Sequence, residues 1–261
     1  MRFLLISDLH FGADEASLPP SRKHALPSLL ARVAREGNAA AAFLAACGDL
    51  TDNGYDGTVT GKWLMPWLGT NTACTGGSEN DQLGALRREF VDPVDASGLP
   101  LFMISGNHDT YNGAGRRPVV DFLKARHGAR FVVSTPGTQV TSFFLGCYPD
   151  VSTRRWLRRE LRSRRLAESR APCVFFMHYN LSGPYSDWFP DDEKLQFAEV
   201  IADVHVACIC VGHHHVSRES RWEGHRVIAA AGRSYADVDV TDDGHVVVRF
   251  DPPPRAKRAT S

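Results

Sequence analysis

No apolar run in this 261-residue chain approaches the ~18 residues of a membrane span, so no spanning segment is expected. Net charge is missing too. The 30 basic and 30 acidic residues cancel, and no global field draws the chain to nucleic acid or an anionic membrane. Nor is there CxxC spacing: Cys47, Cys74, Cys147, Cys173, Cys208 and Cys210 lie mostly in apolar stretches. They read as small buried hydrophobes of a reducing cytoplasm, not as a disulfide framework or a thiolate metal site. The start, "MRFLLISDLH", has no basic n-region and no small-residue cleavage site. No signal peptide is expected there, and the protein is placed in the cytoplasm. No internal repeat is visible.

What is present is a series of short apolar runs bounded by polar or glycine clusters: "RFLLISD", "AAFLAACGD", "PLFMISGNHD", "TSFFLGCYPD", "CVFFMHYN", "VACICVGHHH", "HRVIAAAG" and "HVVVRFD". Each has the length of a strand buried on both faces. Helix-compatible segments lie between several of them, at Leu26–Glu36, Gln82–Val91, Pro118–His127, Ser152–Glu168 and Asp191–Ile201. Alternation of the two predicts an α/β fold, with antiparallel hairpins late, where "RVIAAAG" and "HVVVRF" follow closely. One domain is expected over residues 1–250, with a candidate lid or insertion at 54–82. The Pro-rich, then basic stretch 251–261 is expected to be a disordered tail.

Five of the runs end in ligand-type residues: Asp8 and His10, Asp49, Asn107 to Asp109, His178, and His213 to His215. Ligand sites of open α/β sheets collect beyond the carboxyl ends of strands. In extended backbone, residues two apart point the same way, so Asp8 pairs with His10 and His213 with His215, while His214 turns to the other side. Carboxylates, an amide and imidazoles without thiolate favour transition metals such as Mn, Fe or Zn. Two Asp, one Asn and four His exceed a single tetrahedral site and suit two ions sharing a bridging carboxylate.

In order along the chain, "SDLH", "GDLTDNG", "GNHD", the lone His178 of "FFMHYN" and "VGHHH" resemble the signature of the calcineurin-like metallophosphoesterases. The resemblance spans Asp8 to His215. It implies a four-layer αββα sandwich of two mixed β-sheets flanked by helices. It also implies a dinuclear centre: Asp8, His10 and His215 on one ion, Asn107, His178 and His213 on the other, and Asp49 bridging. His108 would act as general acid, its ring oriented by Asp109. The implied activity is hydrolysis of a phosphomonoester or phosphodiester by a metal-bridging hydroxide. The alternative is a non-catalytic metal-binding scaffold of the same fold that binds a protein partner.

The remaining motifs leave alternatives open. Asn53 either completes a turn or reaches a substrate phosphate. Arg116 and Arg117 either hold a second anionic group of the substrate or pair with neighbouring acids. Tyr179, Tyr185 and Trp188 either stack on a substrate ring or close the core. The segment "RRWLRRELRSRRLAE" buries Trp156, Leu157 and Leu161 and leaves its arginines on a solvated face. Nucleic acid is disfavoured as a partner, because no exposed aromatics interleave these arginines.

Overall fold

The computed structural model describes residues 1–13, 17–54, 81–110 and 117–253. The strands are β1 (Arg2–Ile6), β2 (Phe43–Cys47), β3 (Leu101–Ile104), β4 (Phe131–Ser134), β5 (Thr141–Phe144), β6 (Cys173–Phe176), β7 (Val206–Val211), β8 (Ser217–Trp222), β9 (His225–Ala230), β10 (Tyr235–Val240) and β11 (Val246–Asp251). They form two sheets, ordered β11-β10-β1-β2-β3 and β4-β5-β6-β7-β9-β8. Both are mixed. β1, β2 and β3 run parallel, as do β5, β6, β7 and β9, and antiparallel strands complete each sheet.

Side-chain alternation explains why runs with apolar residues at nearly every position became strands. Phe3 and Leu5 of β1 face the other sheet, with Phe43, Phe144, Phe176 and Cys210. Leu4 and Ile6 face the helix α1 (Leu26–Glu36). On the far side Phe175, Ile209 and Val211 pack on α5 (Val151–Ser163) and α7 (Asp191–Ile201), through Leu157, Leu161 and Phe197. The layers are helix, sheet, sheet, helix. Rings of paired residues stack across strands in the middle layer: Phe3 on Phe43 at 5.4 Å and Phe144 on Phe176 at 4.3 Å.

Several boundaries differ from the expected ones. The helix expected at 82–91 comprises α2 (Gln82–Leu86), a widened π turn at Arg87–Val91 and α3 (Asp92–Ala96). The wide turn ends two residues before Pro93, whose ring cannot fit beneath an α-helical carbonyl. α4 (Pro118–His127) has the expected limits. The helix expected at 152–168 breaks at Arg165, which is left-handed at φ 52°, and resumes as α6 (Leu166–Ser169). The late hairpins join β8 to β9 and β10 to β11, so the two runs expected to pair lie in different sheets. Asp251, expected in the tail, belongs to β11, and residues 254–261 lie outside the described residues, as do 55–80 of the expected lid. Among the described residues no helix is long and apolar enough to cross a membrane. The described cysteines carry no disulfide, and burial pushes the Cys47, Cys147 and Cys210 thiols well above their ordinary range.

Arg154 departs from the expected solvated face. It is buried, and its guanidinium donates to the Pro149 carbonyl (2.7 Å), Glu193 Oε2 (2.8 Å) and Gln196 Oε1 (2.9 Å), tying α5 to α7. Arg154→Met is expected to destabilise the fold by about 2–3 kcal/mol, because Glu193 and the Pro149 carbonyl lose their donor. Arg158, exposed on the same helix, should change stability by less than about 0.5 kcal/mol on replacement by alanine. Denaturant midpoints of the two variants check the difference. Equal midpoints would remove Arg154 from the helix–helix contact.

Candidate metal centre

Asp8 and His10 follow β1, Asp49 follows β2, Asn107 to Asp109 follow β3, His178 follows β6, and His213 to His215 follow β7. Three strand ends of one sheet and two of the other therefore supply the site. The backbone there is not extended. Asp8 (φ 58°), His10 (φ 46°), Asp49 (φ 49°), His213 (φ 73°) and His215 (φ 51°) all occupy the left-handed region. Such a residue costs roughly 1–2 kcal/mol, and the surroundings must hold it. They do so through hydrogen bonds: Asp8 N donates to Gly48 O (3.0 Å), His10 N to Asp49 O (3.0 Å) and His213 N to the Asp8 carboxylate (3.0 Å). Two glycines permit the close approach. A Cβ on Gly106 would collide with Asp49, and one on Gly212 with Ser7 Oγ and Asp8 Oδ2.

Three groups of potential ligand atoms result, each spanning at most 4.8 Å; two draw on the expected ligands, Asp8, His10 and His215 in one, Asp49, His178 and His213 in the other, and the third joins His10 to Asp52 and His108. In the first, His215 Nε2 lies 3.2 Å from His10 Nε2 and 3.4 Å from Asp8 Oδ1. In the second, His178 Nε2 lies 3.2 Å from Asp49 Oδ2 and 3.1 Å from Asn107 Oδ1. Asp49 Oδ2 also stands 3.8 Å from His10 Nε2, so one carboxylate oxygen joins the groups. The His178 Nδ1 proton goes to the Cys47 carbonyl at 2.8 Å, which turns Nε2 toward the site, where it would offer its lone pair to a bound cation.

The electrostatics agree with cation binding. Burial would raise the Asp8 and Asp49 carboxyls, but the neighbouring imidazoles outweigh it and hold both below the ordinary range. Burial would lower His178, and the Asp49 carboxylate instead lifts it to about 9. His213 is pushed down to about 4 by burial and by the charge of His178. Three further features test the fit of metal ions. His213 Nε2 is buried without a hydrogen-bond partner. The facing His10 and His215 nitrogens can share only one proton, whereas a cation takes a lone pair from each. All the donors are nitrogen or oxygen, as suits Mn, Fe or Zn. The residues fit.

Residues 1–217 match the calcineurin-like phosphoesterase family. The chain belongs to that family. Its members' chemistry makes this chain a phosphoester hydrolase dependent on metal ions, and the family implies a dinuclear centre. The structure is similar to a dimetal phosphatase from Danio rerio (TM-score 0.63, 13% identity, over 96% of this chain and 95% of that one). It is also similar to GAP50, the anchor in the inner membrane complex of Plasmodium (0.58, 13%, 96% and 84%). A third likeness is to purple acid phosphatase PPD1 from yellow lupin (Lupinus luteus) seeds (0.58, 13%, 96% and 51%). At such identities the likeness is one of fold. No curated protein matches the sequence.

Against this phosphoesterase framework, the other expected site residues are distributed as follows. The His108 ring packs 4.5 Å from His10, and its amide donates to Asp49 Oδ1 (2.9 Å). Asp109 does not orient that ring. Its carboxylate accepts from Gly106 N (2.8 Å), Thr51 N (2.9 Å), Thr51 Oγ1 (2.9 Å) and Leu50 N (3.3 Å), clamping the loops after β2 and β3 together. The His108 ring instead has Nδ1 2.7 Å from the Asp52 carbonyl. The Asp52 carboxylate lies 3.4 Å from His10 Nδ1, the placement of an outer carboxylate that orients a ligand imidazole. Asn53 is engaged by Gln82 Oε1 through its amide and by Asp52 Oδ2 through its side chain. Tyr179 is buried, 4.9 Å from the His213 ring, and stacked on Tyr148. Arg117 is exposed at the start of α4, and Arg116 lies outside the described residues.

His214 joins none of these ligand groups; its Nδ1 meets Asn180 Nδ2 at 2.6 Å. His214→Ala is expected to retain the parent's metal stoichiometry, while His213→Ala loses metal, as elemental analysis would show. An equal loss in both variants would bring His214 into the centre.

Proposed function

We propose that this protein hydrolyses phosphoesters with one ion on Asp8, His10 and His215, a second on Asn107, His178 and His213, and Asp49 between them. The supporting observation is the position of Asp49 Oδ2, 3.2 Å from His178 Nε2 and 3.8 Å from His10 Nε2. Bound ions supply an activated water and neutralise the phosphate oxygens. The protein's own groups do the rest. Asp49 holds the two halves together, Asp52 and the Cys47 carbonyl set the tautomers of His10 and His178, and His108 delivers a proton to the departing alcohol. Mn, Fe and Zn are the metals this donor set favours.

The test is turnover of an aryl monophosphate and a bis-aryl phosphate by the Mn²⁺-loaded protein, with and without a chelator. Hydrolysis that the chelator abolishes and Mn²⁺ restores is the expected result. Absence of turnover on both at full metal occupancy would defeat the proposal and leave the scaffold alternative.

A further inference from the structure

Among the described residues the large rings are buried or half-buried, with two exceptions. Tyr185 (64% exposed) and Trp188 (44% exposed) are the exposed aromatic side chains among them. Both belong to the loop between His178 and α7, and both turn toward the centre. The Trp188 ring lies 5.2 Å from the His213 ring and the Tyr185 ring 6.2 Å from it. Rings left this far in water forgo part of the free energy of their burial, so a docking role is the physical reason to look for.

The loop is built to hold them. Trp188 packs edge-on to Tyr179 at 6.1 Å, and Tyr179 stacks on Tyr148 at 5.6 Å. Tyr185 sits in the left-handed region at φ 59°. Asn180 Oδ1 accepts from Leu181 N (2.9 Å), while its amide meets His214. The His214 ring also closes on Gly183, so the middle histidine of "HHH" braces the aromatic loop against the ligand loop.

The position of this wall bears on the substrate. His108 packs on His10, a ligand of one group, whereas Trp188 and Tyr185 adjoin His213, a ligand of the other. A phosphomonoester has a single organic arm, and that arm is the leaving group on which His108 acts. A wall beside His213 then has nothing to hold. A diester supplies a second arm, retained when water adds to phosphorus, the P–O bond to the first arm breaks and the released alcohol takes the proton from His108.

We propose that Trp188 and Tyr185 seat a planar ring on the retained arm of a phosphodiester, making this enzyme a diesterase for ring-bearing esters such as nucleotidyl or aryl esters. This rests on phosphoester hydrolysis with His108 facing the leaving group. The test compares bis(para-nitrophenyl) phosphate with methyl para-nitrophenyl phosphate, which lose the same leaving group and differ only in the retained arm. The ratio of their kcat/KM values should fall roughly 3- to 10-fold in Trp188→Ala and in Tyr185→Ala and persist in Trp188→Phe, at the parent's metal content. An unchanged ratio in both alanine variants overturns the proposal, and so does a higher kcat/KM for para-nitrophenyl phosphate than for either diester. If the Mn²⁺-loaded parent turns over none of these, it is the hydrolase reading that fails. Calorimetry with the same two diesters then decides the wall: a ring preference lost in the alanine variants supports it, and one that survives, or is absent from the parent, overturns it.

Discussion

Asp49→Asn is expected to reduce phosphoester hydrolysis by roughly 10³-fold or more and to lower the metal content, because in the proposed centre nucleophile activation and charge neutralisation would both depend on this bridge. The two oxygens of Asp49 have different duties. Oδ1 accepts the His108 amide at 2.9 Å, and Oδ2 faces His178 Nε2 and His10 Nε2. An amide of the same shape cannot meet both. With its oxygen on the His108 amide it turns an NH₂ toward the ligand nitrogens. Flipped, it sets the NH₂ against the His108 N–H. Either way the negative charge between the groups is lost. Elemental analysis and kcat, with circular dichroism to show that the fold persists, check the outcome. A variant with full metal content and parental kcat would exclude Asp49 as the bridge.

The second large effect belongs to His108. His108→Ala should leave the metal content intact and slow hydrolysis by about 10²–10⁴-fold, the usual contribution of a positioned general acid. The ring is one-third exposed, held edge-on to His10, and its Nδ1 proton goes to the Asp52 carbonyl. A proton for the leaving group must therefore come from Nε2. The loss should be greatest for alkyl esters, whose alkoxides need protonation, and smallest for nitrophenyl esters, whose phenolates leave unaided. A loss independent of leaving group would remove His108 from proton delivery. Loss of the metals would make it a ligand.

How far the sequence reached depends on the kind of statement. The positions of the ligand types were legible, because the chemistry needs Asp, Asn and His at strand ends and these residues have no other reason to recur there. The way the pairs converge was not. Two-residue spacing suggested extended backbone, but Asp8, His10, His213 and His215 are left-handed, a conformation that nothing in a non-glycine side chain announces. The resemblance implied Asp109 as the group that orients the His108 ring, yet the Asp109 carboxylate is taken up by loop amides and Thr51, and a partner of the ring is the Asp52 carbonyl, 56 positions away. β10, "YADVDV", is absent from the apolar runs recognised in the sequence, since Asp237 and Asp239 interrupt it. The Asp237 charge is met from elsewhere in the chain. Its partners are Arg2 (2.8 Å) and Arg32 (3.0 Å), on β1 and α1. Arg154 was assigned to solvent because Glu193 and Gln196 lie on another helix.

By itself the sequence determined the α/β class, most of the buried strands, and the inventory of carboxylate, amide and imidazole donors. Burial and ligand chemistry are properties of residue type and local pattern. The tertiary structure decided which donors lie together, which groups face the His10, His108 and His178 imidazoles, and that Trp188 and Tyr185 stand beside His213. Those are relations between chain segments as many as 205 positions apart, such as His213 N on the Asp8 carboxylate. They exist only once two sheets have packed and brought their carboxyl ends together.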